Sequence, residues 1–445
     1  MDEIARVTAS LNAHTSSSGS AAMRLCCILA GGGARAVGYL LARSPGASST
    51  VMECEVPHAH EAVLEPLGGE AALQGDGYVS VRAAELLARS AHARARALLR
   101  KSGREERTCG IAATAALATS REKKGAHRAF IAASSTQGTG LWSLRLDASP
   151  TMPMPMLTGA HEATASRRSG SGSDDGMVKR RRSRWEEDDI VSRAVVKAAA
   201  AMYNSFDGAA IDDTIDLGLY ETEAFEGGVN EYDVDDAIRL VLEETVDEDI
   251  VAQVRPIPGS ERPEVLIGMT SASVLLAGSF NPLHIGHTRL LRAATANGES
   301  AAFELSVSNA DKGLLDFYDV RRRVQQFLDA GETLVLSRRP LYADKARAMP
   351  GSSFAVGFDT AVRIVNPKYY GGDEAGLSDA LEDFRARGCR FRVGGRMDKD
   401  TSEWKDMRDV DIPSGFADIF ESIPESEFRE DISSTELRAA GKGLV

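Results

Sequence analysis

Cysteine, histidine and long apolar runs are all scarce in this sequence. Its five cysteines, Cys26, Cys27, Cys54, Cys109 and Cys389, are odd in number and show no C-x-x-C spacing. That excludes a small disulfide-built domain and a cysteine-based zinc motif, and fits reduced thiols that simply pack. No stretch of about 18 uninterrupted apolar residues is present, so no membrane-spanning helix is expected. The N-terminus opens on Asp2 and Glu3 where a leader would place a basic and then an apolar region. Together these absences lead to the expectation of a cytoplasmic protein. Positive charge is also in deficit: 52 basic against 65 acidic side chains leave a net charge of -13. A general nucleic-acid or anionic-membrane binder is thereby disfavoured, although a local basic cluster still suffices for one anion.

What is present is apolar material for more than one core. With 445 residues and 43% hydrophobic content the chain is too long for a single ordinary domain. Residues 1–22, rich in Ser, Ala and Thr, are expected to be a disordered arm. From "RLCCILAGGG" to about residue 146, short apolar runs alternate with Arg-studded, Ala-rich stretches such as "VSVRAAELLARSAHARARALLRKSG". That stretch has helical spacing and a Gly just after it, so an α/β domain is expected over residues 23–204. Within it, residues 148–184 combine a Pro/Met repeat, a Gly/Ser/Asp tract and a basic run at 179–184, and are expected to be a disordered insertion. The basic run reads either as a nuclear-import or phosphate-binding patch or as plain solvated charge, the commoner case. The helix-like "EEDDIVSRAVVKAAAAMY" that follows is expected to close the first domain.

Residues 205–269 are acidic and end in "RPIPGSERP". They are expected to be a connector with one helix around "DVDDAIRLVLEE"; their acid spacing matches no Ca²⁺ loop. From residue 270 to 445 the pattern changes to strand, turn and helix units. "SVLLAG", "AFELSV", "TLVLS", "SFAVG" and "RFRVGG" read as strands, with "HTRLLRAATA" and "VRRRVQQFLDA" as helices between them. Such repetition predicts a Rossmann-like, doubly wound parallel sheet that binds ligands at the carboxyl ends of its strands.

Two of only eight histidines, His284 and His287, sit one helical turn apart in "GSFNPLHIGH". Gly278 and Ser279 are small enough for a ligand to approach the backbone, Pro282 stiffens the turn, and the following helix offers free N–H groups and a positive dipole end. The two imidazoles add donors suited to charge developing on a phosphate. Alone, the pattern is equally that of two histidines capping a helix. Near the far end, "DISSTELR" places Ser433, Ser434 and Thr435 at a predicted helix start with Arg438 one turn on, a set suited to a polyphosphate.

Taken together, "GSFNPLHIGH" and "ISSTELR" resemble the H-x-G-H nucleotidyltransferases, and the Ile-Ser-Ser-Thr-x-x-Arg form is similar to the nicotinamide-mononucleotide adenylyltransferase branch. The resemblance implies adenylyl transfer from ATP to nicotinamide or nicotinate mononucleotide with release of pyrophosphate. His284 and His287 would serve as catalytic groups, with Gly278, Ser279 and Phe280 along the nucleotide and Ser433, Ser434, Thr435 and Arg438 on the β and γ phosphates. Lys312 in "SVSNADKG" matches a phosphate-contacting lysine, while Gly357 and Asp359 in "AVGFDT" match the family's Gly-x-Asp segment. Mg²⁺ would arrive with ATP, with no dedicated protein ligands. Related enzymes acting on phosphopantetheine or using CTP share the first motif, and a non-catalytic nucleotide sensor is the other open reading. Trp404 and Tyr370 are the candidates for an aromatic contact to the acceptor's ring.

The first domain resembles the CinA-type nicotinamide-nucleotide amidases, through "PGAS" at 45–48, the stretch ending at Ser80, and "GIA" at 110–112. Matched position by position, the family's nucleophilic serine falls on Gly31, its tyrosine on His58 and its lysine on Val63. Hydroxyl attack on an amide needs both a nucleophile and a base. The resemblance therefore implies a domain that has lost its amidase chemistry and serves in binding or homo-oligomerisation. The Gly31–Gly33 run is either a phosphate cradle or a tight turn after a strand, the second being the commoner.

Overall fold

Alternation of apolar runs with helix-spaced segments produces two separate α/β units, Met1–Asn230 and Glu231–Val445. The computed structural model describes residues 2–13, 23–101, 107–119, 125–147, 151–153, 177–179, 182–243, 250–309, 313–398 and 402–429. Among the described residues no helix is long and apolar enough to cross a membrane.

In the first unit, strands β1 (Arg24–Ala30), β2 (Val51–Glu55), β3 (Thr108–Ala116), β4 (His127–Ser135), β5 (Gly138–Leu146) and β6 (Ala224–Glu231) form one sheet ordered β2-β1-β3-β4-β5-β6. β1 runs parallel to β2 and β3, whereas β4 is antiparallel to β3 and β5. The helices are α1 (Glu3–Ala13), α2 (Arg35–Ala42), α3 (His60–Leu67), α4 (Val81–Lys101) and α5 (Arg184–Phe206). Leu25, Cys27 and Leu29 of β1 share a core with Val191, Val195 and Met202 of α5. Cys26, Ile28 and Ala30 point the other way, into a core with Ala84, Leu87 and Ala88 of α4. Burial on both faces is why "LCCILA" is continuously apolar where a one-faced strand would alternate. It also pushes the Cys26 thiol up to about 12, away from reactive thiolate.

Helix α5 starts at a capping box. The Ser183 hydroxyl accepts from the Glu186 N–H at 3.2 Å, and the Glu186 carboxylate accepts from the Ser183 N–H at 2.8 Å. Three boundaries differ from the sequence expectation. Residues 3–13, expected within a disordered arm, form α1, whose Ile4, Val7 and Leu11 are buried in the first core. Periodic apolar side chains with a surface to cover outweigh a Ser-rich flank. In the expected insertion, 151–153 and 177–179 pair as a short antiparallel ribbon, and the residues between them lie outside the described set. The acidic connector at 205–269 is divided between the two units. Up to residue 230 it belongs to the first unit, where Ala209, Ile211, Ile215 and Leu217 are buried in the core and β6 supplies the sheet edge, and from 231 on it belongs to the second.

There the acids cap a helix. α6 (Val234–Leu242) is started by Asp233, whose carboxylate accepts from the Asp236 N–H at 2.8 Å, and it buries Val234, Ala237, Ile238, Leu240 and Val241. "RPIPGSERP" is the turn of a hairpin between β7 (Val251–Arg255) and β8 (Glu264–Ile267), closed by an Arg255–Glu264 ion pair at 2.6 Å. The strands after it are β9 (Val274–Ala277), β10 (Ala301–Ser306), β11 (Leu334–Ser337), β12 (Ser353–Gly357), β13 (Arg390–Gly394) and β14 (Phe420–Ile423). The sheet runs β8-β7-β11-β10-β9-β12-β13-β14. From β11 to β14 every pairing is parallel, and β7 joins β11 antiparallel. In chain order the six parallel strands are arranged 3-2-1-4-5-6, so the winding reverses between β9 and β12.

The remaining helices are α7 (Ile285–Ala293), α8 (Phe317–Ala330), α9 (Tyr342–Ala348), α10 (Phe358–Ile364) and α11 (Glu374–Ala386). Val274 and Leu276 join a core with α6, α7 and α8, and Leu275 a core with α9, α10 and α11. The expected doubly wound sheet is therefore present, with helices on both faces.

Candidate active site

The reversal of winding fixes where a ligand crevice opens. β9 and β12 are paired in register, Val274 with Ser353 and Leu276 with Ala355, so "GSFNPLHIGH" and "GFDT" leave the sheet side by side at its carboxyl edge. The turn after β9 has an unusual backbone. Phe280 holds φ +44, a left-handed conformation that a bulky side chain rarely adopts, and the Asn281–Pro282 bond is cis. The Phe280 ring is 1% exposed, packed edge-on against His287, Phe303 and Phe327 at centroid distances of 5.0, 5.4 and 5.1 Å. A Cβ on Gly278 would lie 2.9 Å from that ring, which is why the position has no side chain.

Helix α8 clamps the turn. Gln326 donates through Nε2 to the Phe280 carbonyl at 2.7 Å and accepts the Leu283 N–H on Oε1 at 2.8 Å. Arg323, itself buried, donates to the Ser279 carbonyl at 2.8 Å. Three backbone groups of an irregular loop thus find partners on a regular helix, which sets where the next residue, His284, emerges.

His284 is the extended N-cap of α7, and His287 lies one turn into it. The two rings stack at 3.7 Å with 24° between their planes. The His284 backbone N–H donates to Nδ1 of His287 at 3.3 Å, which leaves Nε2 to carry that ring's proton. Burial, with the neighbouring His284, pushes His287 down to about 3, and burial also lowers His284. At neutral pH the pair is uncharged. It therefore offers N–H donors at a helix start, a setting that favours anions.

Beside Gly278 a cavity of about 290 Å³ opens between the ends of β9, β10 and β11 on one side and α10 on the other. Its floor holds a buried ion pair, Lys345 Nζ to Glu304 Oε2 at 2.7 Å, with Ser337 Oγ donating to the other Glu304 oxygen. Tyr370 lines the wall, its phenol pushed up to about 12 by burial and by Asp344.

Comparison with known proteins adds to this geometry. The cytidylyltransferase-like family model matches residues 275–440, the stretch that holds β9, the histidine turn and the cavity. Residues 275–440 form a cytidylyltransferase-like domain. No curated protein matches the chain. Solved structures similar to its N-terminal region are CinA-family proteins. A CinA superfamily protein from Escherichia coli is 15% identical, with 29% of this chain and 73% of that one covered and a TM-score of 0.22. Another, CihA from Agrobacterium tumefaciens, is 17% identical, with 29% and 74% covered and a TM-score of 0.23. The Klebsiella pneumoniae protein ComA is 14% identical, with 30% and 80% covered and a TM-score of 0.23. Likeness at these scores carries no functional weight.

Within the cytidylyltransferase-like domain, His284, His287, Gly278 and Ser279 come together on the one turn, and Gly357 ends the adjacent strand. The Phe280 ring, expected along the nucleotide, is packed in the core. Asp359 stands in the first turn of α10 and forms an ion pair with Arg396. Of the two aromatic candidates, Tyr370 lines the cavity, while Trp404 sits on a short ribbon with Lys405, opposite Arg396 and Met397. Lys312, Ser433, Ser434, Thr435 and Arg438 lie outside the described residues. Sequence reading missed Arg323 and Gln326. Their signal was present: they share the face of Val320, Val324 and Phe327, a polar pair on an apolar stripe.

In the first unit, the turn after β1 is tightly packed. Gly31 holds φ +78, and a Cβ there would come 2.6 Å from the Ala115 carbonyl oxygen. The Gly33 N–H donates to Asp188 of α5 at 2.8 Å, so the turn already carries a carboxylate of the protein itself. His58 is exposed, and Val63 packs against the α4 core.

Proposed function

We propose that the C-terminal unit transfers the adenylyl group of MgATP to nicotinamide or nicotinate mononucleotide. A phosphate oxygen of the mononucleotide attacks the α-phosphorus, the bond from that phosphorus to the bridging oxygen breaks, and pyrophosphate leaves with the bond's electrons. No covalent enzyme intermediate is needed; the protein acts by positioning and charge stabilisation. The observation that carries this reading is the stacked, uncharged pair His284–His287 at the start of α7, aimed from the strand end where the winding reverses. Neutral imidazoles give N–H donors to a polyphosphate without the cost of burying two cations, and the ligand's negative charge then raises their proton affinity as charge develops. In this reading Gly278 and Ser279 let the nucleotide approach the backbone, and Gly357 and Asp359 flank it. Lys312, Ser433, Ser434, Thr435 and Arg438 would take the outer phosphates.

The family description supports one alternative, CTP as the donor. Pyrophosphate release from MgATP or MgCTP, measured with nicotinamide mononucleotide, nicotinate mononucleotide and phosphopantetheine in turn, separates donor and acceptor together. No pyrophosphate release across this panel would reduce the domain to a nucleotide sensor, and turnover by His284→Ala equal to that of the parent would remove the histidine pair from the reaction. The first unit is read as a cytoplasmic binding or self-association module without amidase activity, because Gly31 leaves no room for a nucleophile. Ammonia release from nicotinamide mononucleotide by the full chain would overturn that.

A further inference from the structure

The cavity beside Gly278 is walled by three tyrosines, Tyr342, Tyr369 and Tyr370, and by three charged side chains, Glu304, Lys345 and Arg363. Two of the charges cancel. Lys345 and Glu304 are both buried and paired, and the Lys345 ammonium has a second acceptor in the Arg339 carbonyl at 2.6 Å. Arg363 differs from them. Its Nε donates to the Asp359 carbonyl one turn back at 3.2 Å, and no carboxylate among the described residues pairs with its guanidinium. It lies close enough to Tyr342 for its charge to oppose the upward push of burial on that phenol. The lining therefore combines flat aromatic walls with one positive charge that has no carboxylate partner among the described residues.

Aromatic walls suit a planar ring, and a guanidinium suits a planar, two-oxygen anion. We propose that this cavity takes a planar aromatic acid carried by the acceptor, its carboxylate paired with Arg363. Resting on the mononucleotide reading above, this makes Arg363 the residue that separates the acid acceptor from its amide. An amide in the same place presents one acceptor oxygen and an NH₂ that faces the guanidinium donors unfavourably.

The test is calorimetric binding of nicotinate mononucleotide and of nicotinamide mononucleotide to the full chain at neutral pH. The two ligands differ only in carboxylate against carboxamide. Arg363 is exposed, so screening keeps the effect modest, and the acid is expected to bind about ten-fold more tightly. Arg363→Gln should abolish the preference by weakening the acid alone, and Arg363→Lys, which keeps the charge but not the fork, should restore part of it. Equal affinity for the two ligands, or equal weakening of both by Arg363→Gln, overturns the assignment and leaves the mononucleotide reading standing. Binding of neither overturns both.

Discussion

Gln326 is the side chain on which the histidine turn depends most directly, and its removal gives a prediction that the geometry quantifies. Gln326→Ala deletes two hydrogen bonds, to the Phe280 carbonyl at 2.7 Å and from the Leu283 N–H at 2.8 Å. At a net worth of about 1 kcal/mol each, the turn loses about 2 kcal/mol. Part returns if Phe280 leaves its left-handed φ of +44, a conformation whose strain is of order 1–3 kcal/mol. The melting temperature of the C-terminal unit should therefore fall only modestly, by roughly 2–6 °C. Turnover should suffer more, because Leu283 directly precedes His284: the same 2 kcal/mol spent on repositioning the imidazole slows the reaction by about 30-fold. Gln326→Glu keeps the acceptor for Leu283 but sets a carboxylate against the Phe280 carbonyl, and should be no better than alanine. Pyrophosphate release at saturating substrate, measured beside thermal melts, is the assay. A variant that melts lower yet turns over at the parental rate would show that the turn need not be held by α8.

Three further outcomes are expected. His287 is held near 3 against an ordinary 6.5, so the unfolded chain takes up a proton first; its stabilising contribution is complete above about pH 6.5 and is lost as pH falls toward 3, by at most about 1.4 kcal/mol per unit. Denaturant titrations at several pH values should show that slope, and His287→Gln should reduce it; an unchanged slope would mean the ring is not buried neutral. Lys345→Met leaves Glu304 buried without its partner and should cost about 3–5 kcal/mol, most of it recovered by adding Glu304→Gln; a single variant as stable as the double would refute the pairing. Gly31→Ser should destabilise the first unit by about 2 kcal/mol or more and restore no ammonia release, since φ +78 and the Ala115 carbonyl both oppose a side chain.

Much of the second unit was legible from local pattern. "VLLA", "AFELS", "LVLS" and "SFAVG" are apolar enough to be buried on both faces, "RFRVG" alternates with Phe391 and Val393 buried and Arg390 exposed, and each became a strand of the parallel sheet. The acidic stretch at 205–269 was not legible, because its charges cap α6 and brace a hairpin, roles that depend on the neighbour each carboxylate meets. Nor was α1: eleven residues on an otherwise Ser-rich arm form a helix because α5 and the sheet offer a surface to cover.

For the site, local order along the chain is enough to say which groups arrive. A small-residue turn, two histidines one turn apart and a following helix are fixed by local spacing, and local spacing already asks for an anion. The state of those groups comes from folding. Stacking and burial leave His284 and His287 uncharged; the Phe280 ring is packed in the core; Gln326 and Arg323 arrive from a helix some forty residues on to hold the turn. Proton affinity, burial and hydrogen-bond partnership depend on atoms brought close from distant parts of the chain, and a linear pattern does not contain those distances.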